Sequence, residues 1–156
     1  MKRTALLMLL LLTGFAAAAG AQGRRAAPDW VDPTSGRQRA DFIVYYFHNE
    51  FRCQTCLAME AEAETAVRDD FAAELESGVI AWQTINLQNP ENEHFTAHYS
   101  LDGPSVVMVQ WGENEEVRWK NLERTWELID TPQKYRAYVS AELAAWLQDP
   151  ETGEDE

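Results

Sequence analysis

Hydrophobic and polar positions fall into blocks along this chain, and the period of each block predicts an element. Asp41 to His48, DFIVYYFH, is an unbroken apolar run rich in β-branched and aromatic residues. Such a run predicts a strand buried on both faces, as in a parallel or mixed sheet. From Cys56 the period changes. Apolar positions recur at Cys56, Met59, Ala63, Val67, Phe71 and Leu75, a helical stripe with Glu60, Glu62, Glu64 and Glu74 off it. Gly78 predicts the end of that helix. Val79 to Leu87 predicts a second strand. Asn89-Pro90 has the form of an N-cap followed by proline at the first helical position, and opens a short helix over 91–99. Ser105 to Trp111 predicts a third strand just after Gly103-Pro104. GENEE predicts a hairpin turn, and VRWKNL a fourth, shorter strand. From Pro132 to Leu147 a closing helix carries Tyr135, Val139, Leu143 and Trp146 on one face.

The order β-α-β-α-β-β-α predicts an α/β fold. Alternation at the start implies a parallel pair joined by a right-handed crossover. The late hairpin adds antiparallel strands. The expected architecture is a mixed sheet of about four strands with helices on both faces, and no internal repeat is visible.

The two ends have a different character. Lys2 and Arg3 form a charged start, Ala5 to Leu12 an apolar stretch, and Ala19-Gly20-Ala21 a small-x-small cleavage site. This predicts a signal peptide over 1–21. Its apolar part is shorter than the roughly 20 residues that span a bilayer. The expected product is an exported protein, periplasmic or extracytoplasmic, whose mature chain does not span the membrane. Residues 22–40, rich in Arg, Gly and Pro, predict a linker or flexible arm. The domain is expected over 41–148, with an acidic disordered tail over 149–156.

Charge narrows the function classes. With 13 basic and 26 acidic residues the chain of 156 carries a formal charge of −13. Such a field repels nucleic acid, and no basic stripe offsets it. Nucleic acid is therefore not an expected partner.

The chemistry lies in FRCQTCLAM, which holds the only two cysteines, Cys53 and Cys56. Two cysteines in an exported chain commonly form a structural disulfide. A bond across two intervening residues closes a very small loop, however, and constrains the unfolded chain less than a bond between distant segments. A cysteine that follows a strand and opens a helix meets the unpaired N–H groups and dipole of the helix start, which favour its thiolate. Cys53 is then the expected nucleophile and Cys56, one turn inside, the resolving thiol. Arg52 adds a nearby cation.

Cys53-Gln54-Thr55-Cys56 after IVYYFH, with Gly103-Pro104-Ser105 before a strand, resembles the thioredoxin superfamily. The resemblance spans about Asp41 to Leu147. It implies a thioredoxin-like fold, and a cis-proline at Pro104 packed against the active disulfide on the substrate side. The sequence departs from the family at three places. Arg52 stands where thioredoxins have Trp, and Gln54-Thr55 stands for Gly-Pro. Phe47 occupies the place of the buried acid six residues before the first cysteine. His48, beside that place, is a candidate substitute, a partner for the Cys53 thiolate, or a cap of the strand.

A narrower resemblance rests on YYFHNEFRCQTC, INLQNPENEHF, SVVMVQW and RWKNLERTWELI. Together these are similar to a small exported thioredoxin-like family found beside aromatic-arsenical efflux permeases and described as a nitrophenyl-compound nitroreductase subunit. It implies a role in passing electrons, or in binding arsenic through the dithiol, with partners supplying the rest. The expected partner is a protein thiol or disulfide, in the membrane or outside it. No cofactor is expected beyond the redox-active disulfide, since no GxGxxG fingerprint is present.

Other chemistries compete for the same residues. Soft thiolates with His and Met suit Cu(I), so Cys53, Cys56, His48 and Met59 form a conceivable set. Met59 also lies on the core stripe, which predicts packing. A dithiol module that binds Cu(I) or As(III) without turnover is thus the alternative to an oxidoreductase, and a purely structural disulfide is a third reading. A closed zinc site needs four ligands and is not expected. His94 and His98, four apart, can share a helix face but lack the HExxH glutamate. They read as a polar surface. No Ser-His-Asp arrangement or phosphate loop is visible.

Overall fold

A computed structural model of the chain describes residues 40–112 and 115–148. The predicted signal peptide, almost all of the arm and the acidic tail lie outside the described residues.

Strand β1 spans Phe42–His48, and its middle, Ile43 to Phe47, is buried throughout. Helix α1 spans Gln54–Asp70 and α2 spans Ala72–Ser77. The sequence predicts one continuous helix here. The structure breaks it at Phe71, whose backbone leaves helical geometry at φ −129°, ψ 34° while its ring is buried in the core. Gly78, at φ +80°, closes α2 in the left-handed conformation that glycine adopts most freely.

Strand β2 (Ile80–Asn86) follows. A 3-10 turn at Pro90–Asn92 leads into the short helix α3 (Glu93–His98). Strands β3 (Ser105–Trp111) and β4 (Glu116–Asn121) form the late hairpin. The Gly112 N–H donates to the Glu115 carbonyl at 2.8 Å across its turn. A four-residue helix, α4 (Thr125–Leu128), precedes α5 (Pro132–Gln148). Helix α4 is absent from the sequence prediction, because one turn is too short to show a period.

The sheet order is β2-β1-β3-β4. Strand β1 pairs parallel with β2 and antiparallel with β3, and β3 pairs antiparallel with β4. Alternation along β1 then divides the core. Val44 and Tyr46 face α1 and α5, where Met59, Ala63, Val67, Val139 and Leu143 close around them. Ile43, Tyr45 and Phe47 face the other way, onto Phe95, Tyr99 and Leu101. This is an α/β thioredoxin-like fold with a four-stranded mixed sheet. No helix among the described residues is long and apolar enough to cross a membrane.

Pairing register fixes which loops meet. Ser105, at the start of β3, lies opposite Phe47 near the end of β1. The Leu87 N–H bonds the His48 carbonyl at 2.8 Å. The Leu122 N–H bonds the Val106 carbonyl at 2.9 Å. The segments that follow β1, β2 and β4 and the one that precedes β3 therefore gather at one end of the sheet. The cysteine pair is at that end.

Candidate redox site

Cys53 and Cys56 form a disulfide with their Cα atoms 5.1 Å apart. Cys53 is the N-cap of α1, in extended geometry at φ −70°, ψ 165°. Its sulfur accepts the Cys56 N–H at 3.1 Å. Its carbonyl accepts the Leu57 N–H at 3.0 Å, the first helical bond. The sulfur thus occupies the place of a capping oxygen, where free N–H groups and the helix dipole favour negative charge. Cys53 is half-buried, whereas Cys56 is 7% exposed. The pair is asymmetric, with one accessible sulfur and one shielded sulfur.

Arg52 is present beside the pair, but its charge is not free. Its guanidinium forms an ion pair with Glu60, and both side chains are largely covered. Thr84 of β2 donates to the same carboxylate at 3.4 Å. The cation that the sequence assigns to the thiolate is therefore compensated by a carboxylate on the second turn of α1.

His48 is half-buried at the end of β1, and its Nδ1 lies 2.8 Å from the Asn49 carbonyl. That nitrogen carries the proton and donates to its neighbour's backbone. The imidazole lies nearly parallel to the Tyr46 ring, with centroids 6.5 Å apart.

Pro104 precedes β3 at the same sheet end. Among the described residues no peptide bond is cis. The Gly103–Pro104 bond is thus trans, which corrects the cis form implied by the resemblance. Trans is the form that X–Pro bonds favour, by about 0.5–1 kcal/mol. The Pro104 carbonyl accepts the Trp126 Nε1–H at 3.0 Å. No local pattern marks Trp126 in advance, because it lies on the short, unpredicted α4.

Phe47 does not approach the pair, because its side chain is on the α3 face of the sheet. The residue beneath the pair is Tyr46. Its buried hydroxyl donates to the Cys56 carbonyl at 2.6 Å. Burial pushes the Tyr46 phenol up to about 12, with the Arg52 charge pulling more weakly downward.

Among the described residues, three of the four exposed large apolar side chains surround this end. Phe51 is 85% exposed and Leu57 41%, flanking the cysteines, and Trp126 is 49% exposed. Such side chains bury area only when a partner covers them.

The other candidates fall elsewhere. Met59 is fully buried in the core. Among the described residues no group of three or more His, Cys, Asp and Glu side chains converges as a metal cage. His98 lies 3.0 Å from Glu116, which also accepts the Tyr99 hydroxyl at 2.9 Å. Glu116 pairs with Trp111 at the far end of β3, so this cluster is remote from the disulfide.

No family model matches the chain, and no curated protein matches it. Solved structures do. A malarial protein is 19% identical over 60% of this chain and 96% of its own, with a TM-score of 0.35. Fasciola hepatica thioredoxin is 19% identical over 62% of this chain and 83% of its own, with a TM-score of 0.35. A thioredoxin from Thermus thermophilus is 18% identical over 73% of this chain and 85% of its own, also with a TM-score of 0.35. Strand order and connectivity, rather than these likenesses, define the fold. Fold and site together describe an α/β protein of thioredoxin-like fold with a CxxC disulfide at the start of its first helix.

Proposed function

We propose that this chain is an exported thiol–disulfide oxidoreductase that uses Cys53 as nucleophile and Cys56 as resolving thiol. The observation that carries this reading is the cap geometry. The half-buried Cys53 sulfur sits on the α1 N-terminus, 3.1 Å from the Cys56 nitrogen, in a position that stabilises a thiolate. In the reducing direction, the Cys53 thiolate attacks one sulfur of a substrate disulfide. A mixed disulfide forms and the other substrate sulfur leaves as a thiolate. Cys56, deprotonated, then attacks the Cys53 sulfur. The intramolecular disulfide re-forms and the second substrate thiolate leaves, so two electrons pass from protein to substrate. The oxidising direction is the same sequence reversed.

The partner in this proposal is a protein thiol or disulfide, docked over Phe51, Leu57 and Trp126 beside Pro104. The finer role is that of an electron-transfer subunit in reduction of nitroaromatic or aromatic-arsenical compounds. It is supported by the sequence resemblance alone. The alternative, a dithiol module for Cu(I) or As(III), keeps both sulfurs. It finds Met59 in the core and the His48 Nδ1 occupied by a carbonyl.

The test is a redox titration of the mature chain with mass-tagged thiols, together with trapping by Cys56→Ala. Reversible exchange at a moderate potential, with mixed disulfides captured by the variant, is the expected result. A pair that stays oxidised below about −300 mV, with nothing captured, rejects the oxidoreductase. Arsenite and Cu(I) titration of the reduced protein then tests the alternative.

A further inference from the structure

The departure at Phe47 leaves the cysteine pair without an acid at that place, yet a polar group does lie beneath it. Tyr46 is fully buried, and a phenyl ring would fill nearly the same space. A phenol in such a place is costly unless its hydroxyl is bonded. The bond it makes, 2.6 Å to the Cys56 carbonyl, is at the short end of the hydroxyl range. One turn on, the buried Tyr135 of α5 donates to the Met59 carbonyl at 3.0 Å. Carbonyls inside a helix already accept an N–H from four residues ahead. Each phenol therefore takes a second lone pair and holds its peptide from the core side.

The two bonds differ in what lies behind them. The peptide that carries the Cys56 carbonyl also carries the Leu57 N–H, which donates to the Cys53 carbonyl at 3.0 Å. A chain of two hydrogen bonds thus runs from the Tyr46 hydroxyl through one peptide to the backbone of Cys53. Linked bonds of this kind polarise and fix one another. The Met59 carbonyl stands one peptide further from Cys53: its peptide carries the Glu60 N–H, which meets the Cys56 carbonyl first.

Resting on the oxidoreductase reading above, we infer that Tyr46 is a positioning residue for the redox pair. It holds the first turn of α1 so that the Cys56 N–H stays on the Cys53 sulfur after the disulfide opens. In the oxidised protein the covalent bond itself fixes that turn. In the reduced protein only hydrogen bonds do, so the phenol stabilises the dithiol form more than the disulfide.

The experiment compares Tyr46→Phe and Tyr135→Phe in the full chain by three readouts. These are thermal unfolding, ultraviolet titration of the Cys53 thiolate in reduced protein, and equilibrium with glutathione. Both variants are expected to lower the melting temperature. Tyr46→Phe is expected to raise the Cys53 pKa and to move the equilibrium toward the disulfide, and Tyr135→Phe, one peptide further away, to leave both within twofold of wild type. The expected size is about three- to tenfold, where tenfold corresponds to about 30 mV for two electrons. If Tyr46→Phe lowers the melting temperature but leaves the thiol titration and the equilibrium within twofold of wild type, Tyr46 is only a packing residue. If Tyr46→Phe fails to fold, a ring-fluorinated tyrosine at that position replaces it. As a stronger donor it should lower the Cys53 pKa, and an unchanged pKa overturns the inference. Thiol titration needs no substrate. A wild type that exchanges with no partner defeats the oxidoreductase reading while leaving this result readable.

Discussion

The indole Nε1–H of Trp126 donates to the Pro104 carbonyl at 3.0 Å. This bond joins the connection after β4 to the segment entering β3, at the sheet end that carries the disulfide. An indole that is 49% exposed gains little from core packing, so most of its consequence falls on partners.

Trp126→Ala is therefore expected to separate two activities. Exchange with a small disulfide should stay within about twofold. Exchange with a protein disulfide should slow several-fold, as for loss of an aromatic anchor at an interface. Stability should fall by about 1 kcal/mol, the usual scale of one hydrogen bond. Parallel kinetics on the two substrates check this, and equal slowing of both would count against a docking role.

Glu60 should restrain the thiolate by holding Arg52. Glu60→Gln leaves the guanidinium beside Cys53 uncompensated, and the Cys53 pKa is expected to fall by on the order of one pH unit. Arg52→Ala should change it less, because the ion pair already cancels most of the field at the sulfur. Thiolate titration of both reduced variants decides the matter. A larger effect from Arg52→Ala would mean that Arg52 serves Cys53 directly.

Three buried phenols make the fold sensitive to alkali. Burial pushes the Tyr46 phenol up to about 12, and pushes those of Tyr99 and Tyr135 upward as well. A folded-state pKa above the unfolded value near 10 means that the folded chain holds more protons in that window. Stability is then fully present below about pH 10 and declines as pH rises toward 12. Tyr46→Phe should flatten this decline. Urea midpoints measured across the window would show it, and an unchanged slope would contradict the assignment.

Met59 distinguishes core packing from soft-metal ligation. Met59→Leu conserves volume and is expected to cost less than about 1.5 kcal/mol, with arsenite or Cu(I) binding by the reduced dithiol unaffected. Met59→Ala should cost about 2–5 kcal/mol. A tenfold loss of Cu(I) affinity in the leucine variant would make the thioether a ligand.

Strong local periods made much of this protein legible in advance. The stripe from Cys56 to Val67 gave the buried face of α1, and Tyr135, Val139, Leu143 and Trp146 gave that of α5. The break at Phe71 was not legible, because the ring continues the apolar stripe and only its seat in the core bends the backbone. Helix α4 was hidden by its length, and with it Trp126. The Arg52–Glu60 pair was hidden because both charges look solvent-facing until β2 is placed beside α1.

By itself the sequence determined the order of elements, the mixed sheet they form, and the placement of Cys53 at the mouth of a helix. These follow from local period, turn residues and the short spacing of the cysteines. Tertiary structure decided which residue stands beneath the pair. Tyr45, Tyr46 and Phe47 are three consecutive aromatics in a strand buried on both faces, so no polar partner marks which way each one points. A strand repeats every two residues, and a shift of one moves a side chain to the opposite face. Only the register of β1 between β2 and β3, with α1 packed on one side, sends Phe47 to α3 and brings the Tyr46 hydroxyl to Cys56.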